Sequence, residues 1–352
     1  MGADADEPEN DVYAIRSVIE RLGRLKGQAI ELSKSELKLE SFRNAVRQSD
    51  HRQAIRLANW IPLRHLAVEE LRELTSALAD EASALSDNSE DELKRYDRIV
   101  AAVERLEQLG QNDPTMRHRA ARALFYKGFT LGILKRSEEE IGVYDEVVRR
   151  FGEDTQPGVR ELVAKALVSK GFALAASNRS EDAIGAYDEV VRRFGEDTQP
   201  GVRQEVTIAL FNKGNRLRAL KRSPGAIGIY DEAVRRFGDA TEPALPEPVA
   251  KALVNKGVAL GALNRSEDAI RVYDQVVRRL GDAREPAWRE LVASALLNKG
   301  VALGDLNRNE DAISTYDEVI RRFGDVTEPW LREQVAKAKA AKKMLSRKPR
   351  KV

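Results

Sequence analysis

The segment KALVNKGVALGALNRSEDAIRVYDQVV, residues 251–277, decides the fold, because the chain writes close variants of it repeatedly. Glycines stand at 128, 171, 214, 257 and 300, and tyrosines at 144, 187, 230, 273 and 316. Both series advance by 43 residues through five copies without an insertion. A fixed step of this kind marks a repeat array, in which each unit buries its apolar face against the next.

One unit runs from Pro200 to Gly238. Val202, Val206, Leu210, Phe211, Gly214, Leu217 and Leu220 are mostly three or four apart, which predicts a first helix, helix A. After a Lys-Arg-Ser turn, Ile227, Tyr230, Ala233, Val234 and Phe237 form the apolar face of helix B. Ser223 is expected to cap helix B, with Pro224 at its tolerated first position. The equivalent caps are Ser137, Ser180, Ser266 and Asn309, and Ser137 with Glu140 spells a capping box. Gly238 is expected to end helix B in the left-handed conformation. A glycine inside helix A costs about 1 kcal/mol relative to alanine, so five at one register imply close helix approach. Gly171 is expected to face Ala183, Gly214 Ala226, Gly257 Ala269 and Gly300 Ala312, with Glu140 breaking the pattern in the first copy.

Each helix B ends in two arginines. Asp188 lies four residues before Arg192 and Glu189 four before Arg193, and the arrangement fails only at Gln275, opposite Arg279. Acid before base at this spacing stabilises a helix by about 0.2–0.5 kcal/mol per pair. The arginines therefore read as helix construction. A stripe for a polyanion would need uncompensated charge on one face.

The quoted segment resembles a tetratricopeptide repeat, with a small residue in helix A, the turn, an alanine in helix B and an aromatic four residues further on. The resemblance runs from about residue 119 to residue 324. The step departs from the family's usual length of about 34 residues, and is nearer the longer repeats of kinesin-light-chain type. Lysine also precedes each glycine (Lys127, Lys170, Lys213, Lys256, Lys299), where the family has an apolar residue. These lysines are expected to lay their stems over apolar surface and to pair with a carboxylate of a neighbouring helix.

The resemblance implies an all-α fold, a right-handed αα-superhelix or solenoid, preceded by an N-terminal helical module. It implies a scaffold or adaptor whose concave groove binds a protein or peptide partner. Carried over by register from the glycine, the groove positions are Arg122, Phe125, Tyr126 and Phe129 in copy 1, and Lys165, Val168, Ser169 and Phe172 in copy 2. Copy 3 supplies Phe211, Asn212, Asn215 and Arg218, copy 4 Lys251, Val254 and Asn255, and copy 5 Leu297, Asn298 and Asp305. Aromatics would anchor partner side chains, and asparagines could bond an extended peptide. Asparagines beside Lys or Arg also resemble the family's clamps for a peptide C-terminus.

The remaining chain reads as an acidic N-terminus (1–10), a helical module (11–110), the array (111–326), a capping helix (327–346) and a basic tail (347–352). Ile15, Val18, Leu22, Leu25, Ala29 and Leu32 form a short heptad seam, either packed internally or forming a homodimer through residues 15–32. Residues 42–60 read as a worn helix-turn-helix unit broken at Ile61-Pro62, and an amphipathic helix follows from about Ala67 to Leu85. Ser89 and Glu92 spell a capping box for a helix ending at Gly110.

Charge is uneven. Residues 1–110 hold 16 Lys/Arg against 22 Asp/Glu, residues 111–336 hold 35 of each, and residues 337–352 hold eight basic residues and no acidic one. The body thus has no net attraction for nucleic acid, and only a regulator using the tail would bind it. The chain has no cysteine, and its acidic start lacks an apolar leader, so a cytoplasmic setting is expected. No apolar run is long enough for a membrane span. His51, His65 and His118 fall in no catalytic or metal-binding motif, and no phosphate loop is present. Neither catalysis nor a cofactor is expected, although an effector activity carried by the N-terminal module stands as an alternative.

Overall fold

A computed structural model describes residues 34–48, 50–84, 88–238, 247–281 and 285–346. The seam at 15–32, the acidic N-terminus, the tail at 347–352 and the linker prolines Pro243 and Pro246 lie outside the described residues. Among the described residues every regular element is helical. The first are α1 (Lys34–Arg47), α2 (His51–Ala58), a 3-10 turn (Leu63–His65), α3 (Val68–Ala84) and α4 (Glu90–Gln108). The helix pairs of the array are α5 (Pro114–Ile133) with α6 (Ser137–Phe151), α7 (Pro157–Ala176) with α8 (Ser180–Phe194), and α9 (Pro200–Ala219) with α10 (Ser223–Phe237). They continue as α11 (Glu247–Gly261) with α12 (Ser266–Leu280) and α13 (Pro286–Asp305) with α14 (Asn309–Phe323), and α15 (Pro329–Ser346) closes the series.

The chain divides into two compact units, Met1–Ala166 and Leu167–Val352, and the division falls inside α7. In the first unit, Leu39 and Phe42 of α1, Leu71, Leu74 and Leu78 of α3, and Ile99, Val103 and Leu106 of α4 are buried. α4 begins with the expected box: Ser89 accepts from the Glu92 N–H at 3.2 Å. The Glu92 carboxylate reaches back to the Asn88 N–H at 2.7 Å and accepts from the Tyr96 hydroxyl at 2.6 Å. Gly110 turns the chain at φ +75°. In the second unit one apolar core runs from Ile227 through Tyr273, Leu296 and Phe323 to Leu331 and Val335 of α15.

The atoms nearest the interior glycines belong to tyrosine, a contact that the spacing to alanine does not point to. A methyl group added at Gly128, Gly171, Gly214, Gly257 or Gly300 would overlap the ring of Tyr144, Tyr187, Tyr230, Tyr273 or Tyr316. Each of these rings is at most 2% exposed. The bare glycine backbone therefore makes room for a buried six-membered ring. In the first copy the Glu140 carboxylate fills space left by Gly132, where a methyl would lie 2.8 Å from Oε1. Burial pushes the Glu140 carboxyl up to about 6.

The serines do not cap as expected. Helices α6, α8, α10, α12 and α14 already include Ser137, Ser180, Ser223, Ser266 and Asn309, and the N-cap place belongs to Arg136, Arg179, Arg222, Arg265 and Arg308. None of these arginines makes a side-chain cap bond. The cause is the preceding turn, where Lys135, Asn178, Lys221, Asn264 and Asn307 adopt φ between 57° and 61°. The next N–H then reaches back five residues, as from Arg136 to the Leu131 carbonyl at 2.9 Å and from Arg308 to Leu303 at 2.9 Å. This double closure terminates helix A and starts helix B one residue early. Arg136, Arg179, Arg265 and Arg308 instead pair with Glu139, Asp182, Asp268 and Asp311 at 2.6–2.8 Å.

The glycines after helix B are not left-handed either: Gly152, Gly195, Gly281 and Gly324 sit near φ −60°, and Gly238 at −98°. Three of them accept a hydrogen bond from the next copy. Arg236 donates to the Gly195 carbonyl at 3.3 Å, Arg279 to Gly238 at 3.1 Å and Arg322 to Gly281 at 3.4 Å. A Cβ at Gly195 would stand 2.9 Å from the Arg236 guanidinium, so glycine keeps that path open.

The acid–arginine pairing follows expectation for the glutamates and departs from it for the aspartates. Glu189 pairs with Arg193 four residues on at 2.5 Å, as Glu232 does with Arg236 at 2.8 Å and Glu318 with Arg322 at 2.5 Å, and Glu189 also takes Arg192 at 2.6 Å. Asp188 turns instead to Lys213 of the next helix A at 2.5 Å, and Asp231, Asp274 and Asp317 do the same with Lys256, Lys299 and Lys342. In the first unit Lys127 pairs with Asp97 at 2.5 Å. The expected bridge between these lysines and a neighbouring helix is thus present in four copies.

Candidate functional site

The second unit contains a groove of about 990 Å³. Its wall on the helix A side is built by α9, whose Phe211, Ile208 and Asn212 share one face with Thr207, Gln204 and Arg203 at three- and four-residue intervals. Phe172 of α7, Arg236 and Phe237 of α10, and Glu247, Pro248 and Lys251 of α11 complete it. Phe172 is 48% exposed although it packs edge-on against Tyr187, with ring centres 6.2 Å apart. Leaving half a phenyl ring in water is unfavourable by the transfer energy of its apolar surface, and such rings mark docking sites when they line a concavity.

Four of the residues carried over by register, Phe172, Phe211, Asn212 and Lys251, therefore meet in one groove. Others are placed differently. Asn215 accepts from the Tyr230 hydroxyl at 2.8 Å and from Asn255 at 2.7 Å, so these amides already bond one another. Asn212 donates to the Ile208 carbonyl at 2.8 Å, leaving its oxygen available. Lys251 is paired with Glu247 at 2.5 Å, and Lys165 with Glu161 at 2.5 Å. Arg218 is exposed, and Ser169 and Asn298 are half-buried. Val168 and Val254 are core, at 3% and 5% exposure, because their side chains point into the helix packing.

In the first unit a smaller cavity of about 390 Å³ lies between α3, α4 and α5. It collects Arg122 and Tyr126 with His118, Arg119, Tyr96 and Asp80. Phe129 is exposed and lines neither cavity, while Phe125 is half-buried beside Tyr126 and Tyr144. Burial, with Arg122 and Arg119 adding to it, holds the His118 imidazole below its ordinary pKa.

Register from the glycine missed Arg203 and Phe237, which lie at the start of helix A and the end of helix B. The Arg203 guanidinium stacks over the Phe237 ring at 5.1 Å, as Arg117 does over Phe151 and Arg289 over Phe323. A signal was present: the one copy with proline in place of this arginine, Pro246, also has Leu280 in place of the phenylalanine. Arg117 and Arg289 have carboxylate partners, Glu107 and Asp154 for the first and Glu328 for the second.

Residues 169–241 and 254–326 match the tetratricopeptide repeat family. Those two segments carry tetratricopeptide repeats. The sequence finds no significant match among curated proteins. Among solved structures, it is similar to a signal-transduction ATPase with numerous domains and a tetratricopeptide repeat sensor, from Pyrococcus horikoshii. The TM-score is 0.52 at 11% identity, covering 97% of this chain and 50% of that one, so this chain spans half its length. It is also similar to BtubC from P. vanneervenii, with TM-score 0.48, 15% identity, and 74% and 96% of the two chains covered. The apo form of RapI gives 0.48 at 12% identity, over 97% of this chain and 95% of that one. The first likeness supports the fold alone, and nothing rests on the other two.

The tetratricopeptide fold places helix A of successive pairs side by side within the second unit, which is how Phe172, Phe211 and Lys251 come to line one groove. Among the described residues, no His, Cys, Asp or Glu group is arranged to hold a metal, and no helix is long and apolar enough to cross a membrane.

Proposed function

We propose that this protein is a scaffold or adaptor without catalytic function of its own, and that a partner protein docks a peptide segment in the groove of the second unit. The observation that carries this reading is the half-exposed Phe172 ring set beside Phe211 and Asn212 in a 990 Å³ concavity. Phe172, Ile208 and Phe211 would take an apolar partner side chain. The free oxygen of Asn212 would accept from the partner's backbone. Tetratricopeptide repeats as a protein-interaction fold support the same reading.

The test is a peptide-display selection on the intact chain, repeated with Phe172→Ala and Phe211→Ala. Phe172→Ala should weaken a selected peptide at least about tenfold, equivalent to about 1.4 kcal/mol, with the melting temperature nearly unchanged. Peptides that bind both variants as well as they bind the original chain would dispose of this groove as the docking site.

A further inference from the structure

Three cations line the groove of the second unit, Arg203, Arg236 and Lys251. Arg236 is paired with Glu232 at 2.8 Å and Lys251 with Glu247 at 2.5 Å. Arg203 differs: among the described residues it has no carboxylate partner, and its guanidinium rests on the Phe237 ring alone.

The same stacked arginine is matched by acid in two other copies. Arg117, over Phe151, pairs with Glu107 at 2.7 Å and Asp154 at 3.2 Å, and Arg289, over Phe323, pairs with Glu328 at 2.9 Å. Those two arginines are half-buried over buried rings, whereas Arg203 is exposed and Phe237 half-buried. Sequence accounts for part of the difference, since the register of Asp154 falls on Ala240 in this copy. The register of Glu328 falls on Glu242, which lies outside the described residues.

We propose that Arg203 pairs with an acidic side chain of the docked peptide, so that the partner carries an Asp or Glu roughly four residues from the large apolar residue seated at Phe172 and Phe211. This inference rests on the groove being the docking site and states which peptides it selects. Arg203 and Phe211 are eight residues apart on α9, about 12 Å along the helix axis. An extended peptide covers that distance in roughly four residues, and an even spacing puts both its side chains on one side. Stacking on Phe237 orients the guanidinium, and its paired N–H donors match the two oxygens of a carboxylate. Arg236 and Lys251 already have acids of this chain, so a single acid from the partner completes the groove.

The experiment reads residue preferences from the peptide selection on the full-length chain, then measures the best peptide by fluorescence anisotropy with its acid intact and changed to the amide. Asp or Glu should be enriched near the fourth place from the apolar anchor, and the amide peptide should bind at least about tenfold more weakly. Arg203→Gln should weaken the acidic peptide by a similar factor and leave the amide peptide unchanged. Arg203→Glu should instead prefer a peptide with Lys at that place, a reversal that lost packing does not produce. The array tolerates loss of the stack, since copy 4 has Pro246 and Leu280 in its place. If Arg203→Gln nevertheless fails to fold, the acid-to-amide comparison on the unaltered chain decides alone. Peptides that need Phe172 but show no preference for acid overturn this inference while the docking reading stands. An acid preference that appears only in Glu242→Gln overturns it too, because the chain then supplies the carboxylate itself. Failure to select any peptide removes both readings.

Discussion

A glycine in mid-helix has a different meaning depending on what a methyl group would meet. At Gly214 it would meet the Tyr230 ring, whereas at Gly185 nothing lies within 4 Å. Gly185→Ala should therefore raise stability by about 0.5–1 kcal/mol through backbone entropy and helix propensity. Gly214→Ala gains the same propensity but must displace a fully buried aromatic ring, at a cost of about 1–3 kcal/mol, and should lower stability. Thermal unfolding of the two variants measures the contrast. A stabilised Gly214→Ala protein would show that the ring has slack and that the glycine is not there for close approach. The sequence exposed the repeated glycine but not the tyrosine ring that its missing methyl admits, because helical spacing places both the alanine and the tyrosine on the inward face of helix B.

At the scale of the helix, the two arginines closing each helix B divide their tasks. The first is exposed, as at Arg278, while the second reaches across to the preceding copy, as Arg279 does to the Gly238 carbonyl. Arg279→Ala should lose about 1 kcal/mol, the usual net worth of a hydrogen bond to a charged donor in a partly screened place. Arg278→Ala should change stability by less than about 0.5 kcal/mol. Urea titration of both variants distinguishes them, and equal losses would mean that the pair acts only through charge at the helix end. Sequence spacing placed these arginines as local partners of Asp and Glu. It saw half of the arrangement, because a pairing between residues 41 apart follows from packing and has no local signature.

Across the whole array, the buried tyrosines couple folding to alkaline pH. Burial first of all raises the pKa of Tyr187, to about 12, and it raises Tyr230, Tyr273 and Tyr316 in the same direction. An unfolded tyrosine releases its proton at about pH 10. Below that pH both states are protonated and the rings contribute no pH dependence. Between pH 10 and the raised values the unfolded chain loses protons that the folded chain keeps, so stability falls as pH rises, by up to about 1.4 kcal/mol per pH unit for each ring. Tyrosinate absorbance should therefore appear together with loss of helical circular dichroism above pH 10, and Tyr230→Phe should move that transition to higher pH. Ionisation of all the tyrosines near pH 10 with the helices intact would show that the rings are open to water.

The sequence alone determined that the chain is helical, that its glycines and tyrosines recur at a step of 43, and roughly where the helices lie, because periodicity is a property of neighbours in the chain. It also pointed, through Lys213, Lys256 and Lys299, to a carboxylate on a neighbouring helix. Tertiary structure decided what the glycines make room for, and why Asp188 abandons Arg192 for Lys213. It also decided that Asn215 and Asn255 bond each other while Phe172, Phe211 and Asn212 line a shared groove. Those outcomes depend on the distance and angle between whole helices. Such quantities arise only when side chains far apart in the chain compete for one space, and the commonest winner here is the bulky tyrosine ring.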